Sequence, residues 1–372
     1  MNTDTLSRIV AAAEENGLAA VIASSPANFT YLTGVSMPSR RRPGRHHPML
    51  VITPDGGAAL FALDREAPVL ADRLGRLPLT TWTEHSDEPM DMLAGMLWDM
   101  SLSSSRIGIE TDFVAARDLV ALSAALPRAE FVAAEDMFAA SRAVKTPREL
   151  ALVQRAARVA VESVASALKS CHIGVPEFRI ASGLAQAVYS RGIDGCPEMI
   201  VASGPPGRMS APVPGPRELA PGDLCHVEVC PEIAGYHAMV RRHVQLPPAP
   251  ERERRAEAVR RAVEGLAGLM RPGASGLDVY RAYARLMAPL QLPRRTPIAH
   301  GIGLNLSEEP VLSGARDVEL REGMVLVIEA PIAGAQGGLE ISRKDMIEIT
   351  AEGARLLTVA ADGAAALVSP GR

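Results

Sequence analysis

The strongest constraint on how this chain can fold is a helix-start signal near its middle. Thr146 is placed to cap a helix, Pro147 takes the first helical position, where its missing N–H is not needed, and Glu149 closes a capping box. A helical pattern then runs to about Leu168. Before this signal, short helix and strand patterns alternate. After it, strands are grouped between longer helices. A chain of 372 residues is also too long for one compact core. We therefore expect one domain over residues 1–142 and a second over 143–372.

In the first part, Leu6, Ile9, Val10 and Ala13 recur at helical spacing and Gly17 ends the run. Residues 19–23 read as a short buried strand, after which Pro26-Ala27-Asn28-Phe29 is expected to turn the chain. The apolar runs 49–53 and 58–61 flank Pro54-Asp55-Gly56-Gly57, a hairpin signal. With a further strand at 106–110, the part reads as an α/β layer domain. The second part, with helices near 176–191, 252–270 and 276–287 and strands within 198–246 and from 297 onward, reads as α+β with antiparallel strands.

Net charge is −4, which recommends neither nucleic acid nor an anionic membrane as partner. No apolar run approaches the roughly 20 residues that span a bilayer, and the first residues lack the pattern of a secretory signal. Cys171, Cys196, Cys225 and Cys230 are spaced neither as a disulfide framework nor as paired zinc knuckles. A reduced cytoplasmic protein is expected.

Several segments carry a resemblance in order along the chain. They are Asn28-Phe29-Thr30-Tyr31-Leu32-Thr33-Gly34, Val144 to Leu150, Ala220 to Val229 followed by Gly235-Tyr236, His300-Gly301-Ile302-Gly303 with Glu309-Pro310, and Leu320 to Glu329. Together they resemble the M24 family of methionine aminopeptidase, prolidase, aminopeptidase P and creatinase. The resemblance implies an α/β N-terminal domain of the creatinase/prolidase kind, followed by an α+β pita-bread domain with its active-site cleft on a curved antiparallel sheet. In the family's peptidases two divalent ions sit there on two Asp, one His and two Glu, a set suited to Mn²⁺, Co²⁺ or Zn²⁺.

Carried over residue by residue, that set is incomplete. Glu228 stands at the first Asp position and Met239 at the second, and a thioether is a poor ligand for a hard ion. His300 and the first Glu, Glu329, are retained. The last Glu position becomes Lys344 when counted back from Thr350, or Ser342 when counted forward from Gly338. The second family histidine, seven residues after His300, is Ser307. The resemblance thus implies no resident metal cofactor. A single ion on His226 or His237 with Glu228, His300 and Glu329 is the metal-bearing alternative.

Creatinase, also metal-free, is matched only in part: its catalytic histidine falls at Ala211 and its substrate glutamates at Arg241 and Arg343. The reading that follows is a metal-independent hydrolase of a small, carboxylate-bearing, amino-acid-derived substrate. It would cleave a C–N bond as creatinase and ectoine hydrolase do, or run a related lyase or cyclisation step. His300 would be the acid/base, and Glu329 or Glu228 would activate water or attack. His237, Met239, Arg241 and Lys344 would contact the substrate. So would one of Arg40, Arg41 and Arg42, from a basic loop that in creatinase-like dimers reaches the partner's site, so a homodimer is expected. The alternatives are a mononuclear metal-dependent X-Pro-type peptidase and a non-catalytic pita-bread binding module.

Overall fold

The computed structural model describes residues 2–36, 47–204, 213–248, 250–288, 297–333 and 339–359. The chain divides into two compact units, Met1–Arg142 and Ala143–Arg372.

The first unit runs α1 (Thr3–Glu15), β1 (Ala20–Ala23), α2 (Pro26–Thr33), β2 (Met49–Ile52), β3 (Ala58–Leu63), α3 (Ala67–Leu74), β4 (Leu79–Trp82), α4 (Pro89–Asp99), β5 (Arg106–Ile109), α5 (Ala116–Ala125), β6 (Glu130–Ala133) and α6 (Glu135–Ala143). Its sheet has the order β4-β3-β2-β1-β5-β6, antiparallel through the β1–β2–β3 meander and parallel toward both edges. Ile22, Val51, Phe61 and Ile107 pack with Leu93 and Leu97 of α4 in one core. The expected turn at Pro26 is instead the first turn of α2. Ser25 Oγ accepts from the Asn28 N–H, Pro26 begins the helix, and Gly34 ends it in the left-handed region. The stretch holds a start and a stop signal only eight residues apart, and so reads locally as a turn.

The second unit runs α7 (Pro147–Leu168), α8 (Glu177–Tyr189), β7 (Gly195–Gly204), β8 (Asp223–Ile233), β9 (Tyr236–His237), β10 (Val240–Leu246), α9 (Pro250–Ala267), α10 (Gly276–Met287), β11 (Ala299–Gly301), β12 (Glu308–Leu312), β13 (Val325–Ala333), β14 (Leu339–Thr350) and β15 (Gly353–Leu356). The capping box of α7 forms as expected: Glu149 Nα–H donates to Thr146 Oγ1, and Thr146 N–H to Glu149 Oε2. The other Glu149 oxygen accepts from Tyr236 Oη at 3.0 Å, which ties the helix start to β9.

Among the described residues this unit has a nine-stranded sheet with the path β12-β11-β13-β14-β10-β8-β7. Alternation along each strand sorts the side chains. Leu326, Ile328, Ile347 and Ile349 face one way and pack on Val259, Val263 and Leu266 of α9 and on Val279 and Tyr283 of α10. On the β8 side, the buried Cys225 Sγ lies 3.8 Å from the buried Cys171 Sγ. The alternate residues of β13, β14, β10 and β8 are left for the opposite face, and there Glu329, Lys344, Arg241 and Glu228 gather.

Candidate functional site

Register assembles the site. Glu329 of β13 pairs with Lys344 of β14, Lys344 with Arg241 of β10, and Arg241 with Glu228 of β8. Paired residues in antiparallel strands point to the same face, so these side chains form one row of alternating partners across four strands. Lys344 Nζ donates to Glu228 Oε1 at 2.8 Å and lies 3.4 Å from Met239 Sδ. The Arg241 guanidinium takes the other Glu228 oxygen through Nε and Nη2, and its Nη1 lies 3.5 Å from Glu329 Oε1. Glu228 is 1 % exposed and Lys344 9 %. The side chains of Arg241 and Glu329 stay open to 16 % and 35 %.

His300 pairs with Val327, two residues from Glu329 on the same face. Burial lowers its pKa, helped by the Lys344 charge and opposed by the Gly301 carbonyl and Glu329. Nδ1 lies 2.9 Å from the Gly301 carbonyl oxygen. A carbonyl only accepts, so Nδ1 carries the proton in the neutral ring and Nε2 is the basic nitrogen. The glycines beside it make room for the chain itself. A Cβ on Gly301 would stand 2.4 Å from the Glu309 carbonyl oxygen, and one on Gly303 would stand 2.4 Å from Glu308 Oε1.

The register separates the two candidates for the last ligand position. Lys344 stands opposite Glu329, while Ser342 stands opposite Pro331 further along the strand. His237 is directed elsewhere, with its N–H and Nδ1 both at the Gly303 carbonyl and Nε2 3.9 Å from Glu232. Arg343 belongs to the other face, where it joins Arg242 on the fully buried Asp345. Burial would raise the Asp345 pKa, but the two guanidiniums outweigh it and hold it low. Arg40, Arg41, Arg42 and Ala211 lie outside the described residues. Ser307 is exposed.

Two groups escaped the sequence reading. Lys145 and Glu308 form a buried ion pair at 2.9 Å behind the Gly301–Gly303 loop. Lys145 sits inside a quoted motif segment and Glu308 directly before Glu309-Pro310, but nothing local links positions so far apart. Glu198 of β7 pairs with Cys230 of β8, and Glu198, Glu228 and Cys230 make the one group of three possible metal donors close enough to share an ion among the described residues. Burial, Glu228 and Glu198 all push the Cys230 thiol well above its usual pKa.

For the two-ion centre that the family resemblance implies, the residues do not fit. Met239 offers a thioether and Lys344 an ammonium where carboxylates are needed, and Glu228 is already held by two cations. A unit positive charge about 4 Å from the Lys344 ammonium is repelled by about 4 kcal/mol at an effective dielectric near 20. Of the residues expected to hold a single ion, His237 faces Gly303, and His226, His300 and Glu329 belong to no group of three close donors among the described residues.

The described family models match in chain order. Creatinase/prolidase N-terminal domain covers residues 6–144, and metallopeptidase family M24 covers 151–351. The chain is 25 % identical over 226 residues to an Xaa-Pro dipeptidase of Pyrococcus horikoshii, a match spanning 58 % of this chain and 63 % of that protein, less than two thirds of its length. It is 27 % identical over 369 residues to a probable dipeptidase PepE of Mycobacterium tuberculosis, covering 94 % of this chain and 92 % of the relative. In fold it is similar to the crystal structure of a prolidase from Thermococcus sibiricus, with a TM-score of 0.86 at 20 % identity over 97 % of this chain and 98 % of that one. These relatives correct the expected reaction. A metal-independent hydrolase, lyase or cyclase for a small carboxylate-bearing metabolite is overturned, because the proteins that share the sequence are named as dipeptidases. Among the described residues no helix is long and apolar enough to cross a membrane. The chain belongs to metallopeptidase family M24, a family of peptide hydrolases, and carries a creatinase/prolidase N-terminal domain ahead of the M24 domain.

Proposed function

We propose that the second unit is a peptide-hydrolase site for Xaa-Pro-type dipeptides, the class named for its relatives. The observation that carries this reading is the open end of the charged row. Arg241 and Glu329, of opposite sign and partly exposed, stand 3.5 Å apart. That separation exceeds the roughly 2.7–2.9 Å of a charge-assisted hydrogen bond. A free dipeptide is a zwitterion, and by entering between them it exchanges one loose ion pair for two closer ones. Glu329 takes the ammonium and Arg241 the carboxylate, with Glu228 holding Arg241 from behind and Lys344 holding the other Glu228 oxygen. His300, neutral near pH 7, supplies Nε2 as a base on the same face, a proton acceptor at the bound peptide.

The test is proline release from a panel of Xaa-Pro and other dipeptides by the purified full-length protein, as isolated and with Mn²⁺, Co²⁺ or Zn²⁺ supplied. Release from Xaa-Pro members, weakened at least tenfold by N-acetylation or C-amidation, is expected. Cleavage confined to other dipeptides would sink the assignment.

A second reading, recognition of the same dipeptides without cleavage, is favoured by the two cations on Glu228. Its signature is saturable binding by calorimetry with no proline released. The same proposal includes a cytoplasmic homodimer, with an arginine among residues 40–42 supplied across the dimer. A monomer by analytical ultracentrifugation excludes that arginine's role.

A further inference from the structure

The carboxylate of Glu228 has both oxygens occupied, one by Lys344 and the other by Arg241. Lys344 Nζ also reaches Met239 Sδ, so a single ammonium stands between residue 228 and residue 239, the positions that would flank a shared divalent ion. Met239 is in turn held from its other side, its N–H donating to Met346 Sδ at 3.2 Å. Two carboxylates, Glu228 and Glu329, are balanced along the row by two cations, Lys344 and Arg241. The row is therefore neutral in charge, where an empty metal centre would carry several uncompensated negative charges. Among the described residues the one three-donor group nearby, Glu198 with Glu228 and Cys230, draws on the same occupied carboxylate.

We infer that Lys344 is the resident cation of this site. It holds Glu228 and Met239 as a divalent ion would hold two carboxylates, so the folded protein takes no two-metal centre, and replacing Lys344 and Met239 by acidic residues converts the site into one that does. The ammonium is tethered and cannot be removed by chelation, and it brings one charge where a metal ion brings two. Withdrawing that charge and supplying a carboxylate at each position leaves Glu228, His300 and Glu329 as the retained donors beside the two new ones, an oxygen-rich set with one imidazole.

The experiment is equilibrium dialysis of metal-stripped, full-length protein against Mn²⁺, Co²⁺ and Zn²⁺, read by elemental analysis, with the Co²⁺ absorption spectrum as a second signal. Wild type is expected to retain less than one tenth of an ion per chain at free concentrations where the Lys344→Glu/Met239→Asp variant retains at least one. Stoichiometric binding by wild type that is lost on His300→Ala overturns the inference. So does a double variant that keeps the wild-type circular dichroism spectrum and yet binds no ion. The wild-type measurement decides the first part whether or not the double variant folds. No peptide is present, so the outcome is separate from that of the dipeptide tests.

Discussion

Glu228 and Lys344 are buried partners, and for such pairs removing one member differs from removing both. Lys344→Met leaves Glu228 with Arg241 alone and is expected to destabilise the protein by about 3 kcal/mol, at the low end for breaking a buried pair. Lys344→Met combined with Glu228→Leu removes the stranded charge and should return to within about 1–2 kcal/mol of wild type. Urea unfolding of the two variants measures both, and equal losses would show that the pair does not act as a unit. His300 gives a pH signature. Its folded pKa is below the unfolded value of about 6.5 because burial disfavours the charged ring. The unfolded chain therefore binds more protons in that window, so stability is fully present above about pH 6.5 and falls as pH drops through the folded value. His300→Gln should flatten the stability profile just below about pH 6.5; an unchanged slope there would assign the acid sensitivity to other groups. Neither effect is visible in residue identity. His300, Glu329 and Glu228 could be named in advance, but the burial and partners that set their behaviour come from other strands.

At the scale of elements, the loop after β11 shows how little freedom the site has. Gly301→Ala would press a methyl group against the Glu309 carbonyl oxygen at 2.4 Å, so β11 and β12 must separate. The expected result is a loss of more than about 2 kcal/mol, together with faster amide exchange at Ile298 and Val311; a neutral substitution would mean that the strands shift without strain. Thr146→Ala removes a cap from α7 and should lose about 1 kcal/mol in thermal or urea unfolding. That helix was legible because its start signal is local, with cap, proline and glutamate within four residues. α2 was missed for the same reason, its signals being crowded into a stretch that reads as a turn. The Lys145–Glu308 pair had no local signal at all.

At the scale of the molecule, each unit has its own sheet and its own core, so a fragment of residues 143–372 should unfold cooperatively in calorimetry. A broad, non-cooperative transition would make the division one of contacts alone. Hydrophobic periodicity and helix punctuation sufficed to name the layer type of each part and to place the long helices, because those signals act within one or two turns of the chain, while the positions of a peptidase centre with Met239 and a non-carboxylate in it were implied by the family resemblance alone. They could not choose between Lys344 and Ser342, nor tell that Arg343 faces away while Arg241 joins the row. That choice depends on cross-strand register, in which a shift of one residue reverses every side chain. Register is set where β13 and β14 pack on α9 and where β8 and β10 pack on α7, and the pairing of β10 with β14, more than a hundred residues on, brings an ammonium between Glu228 and Met239.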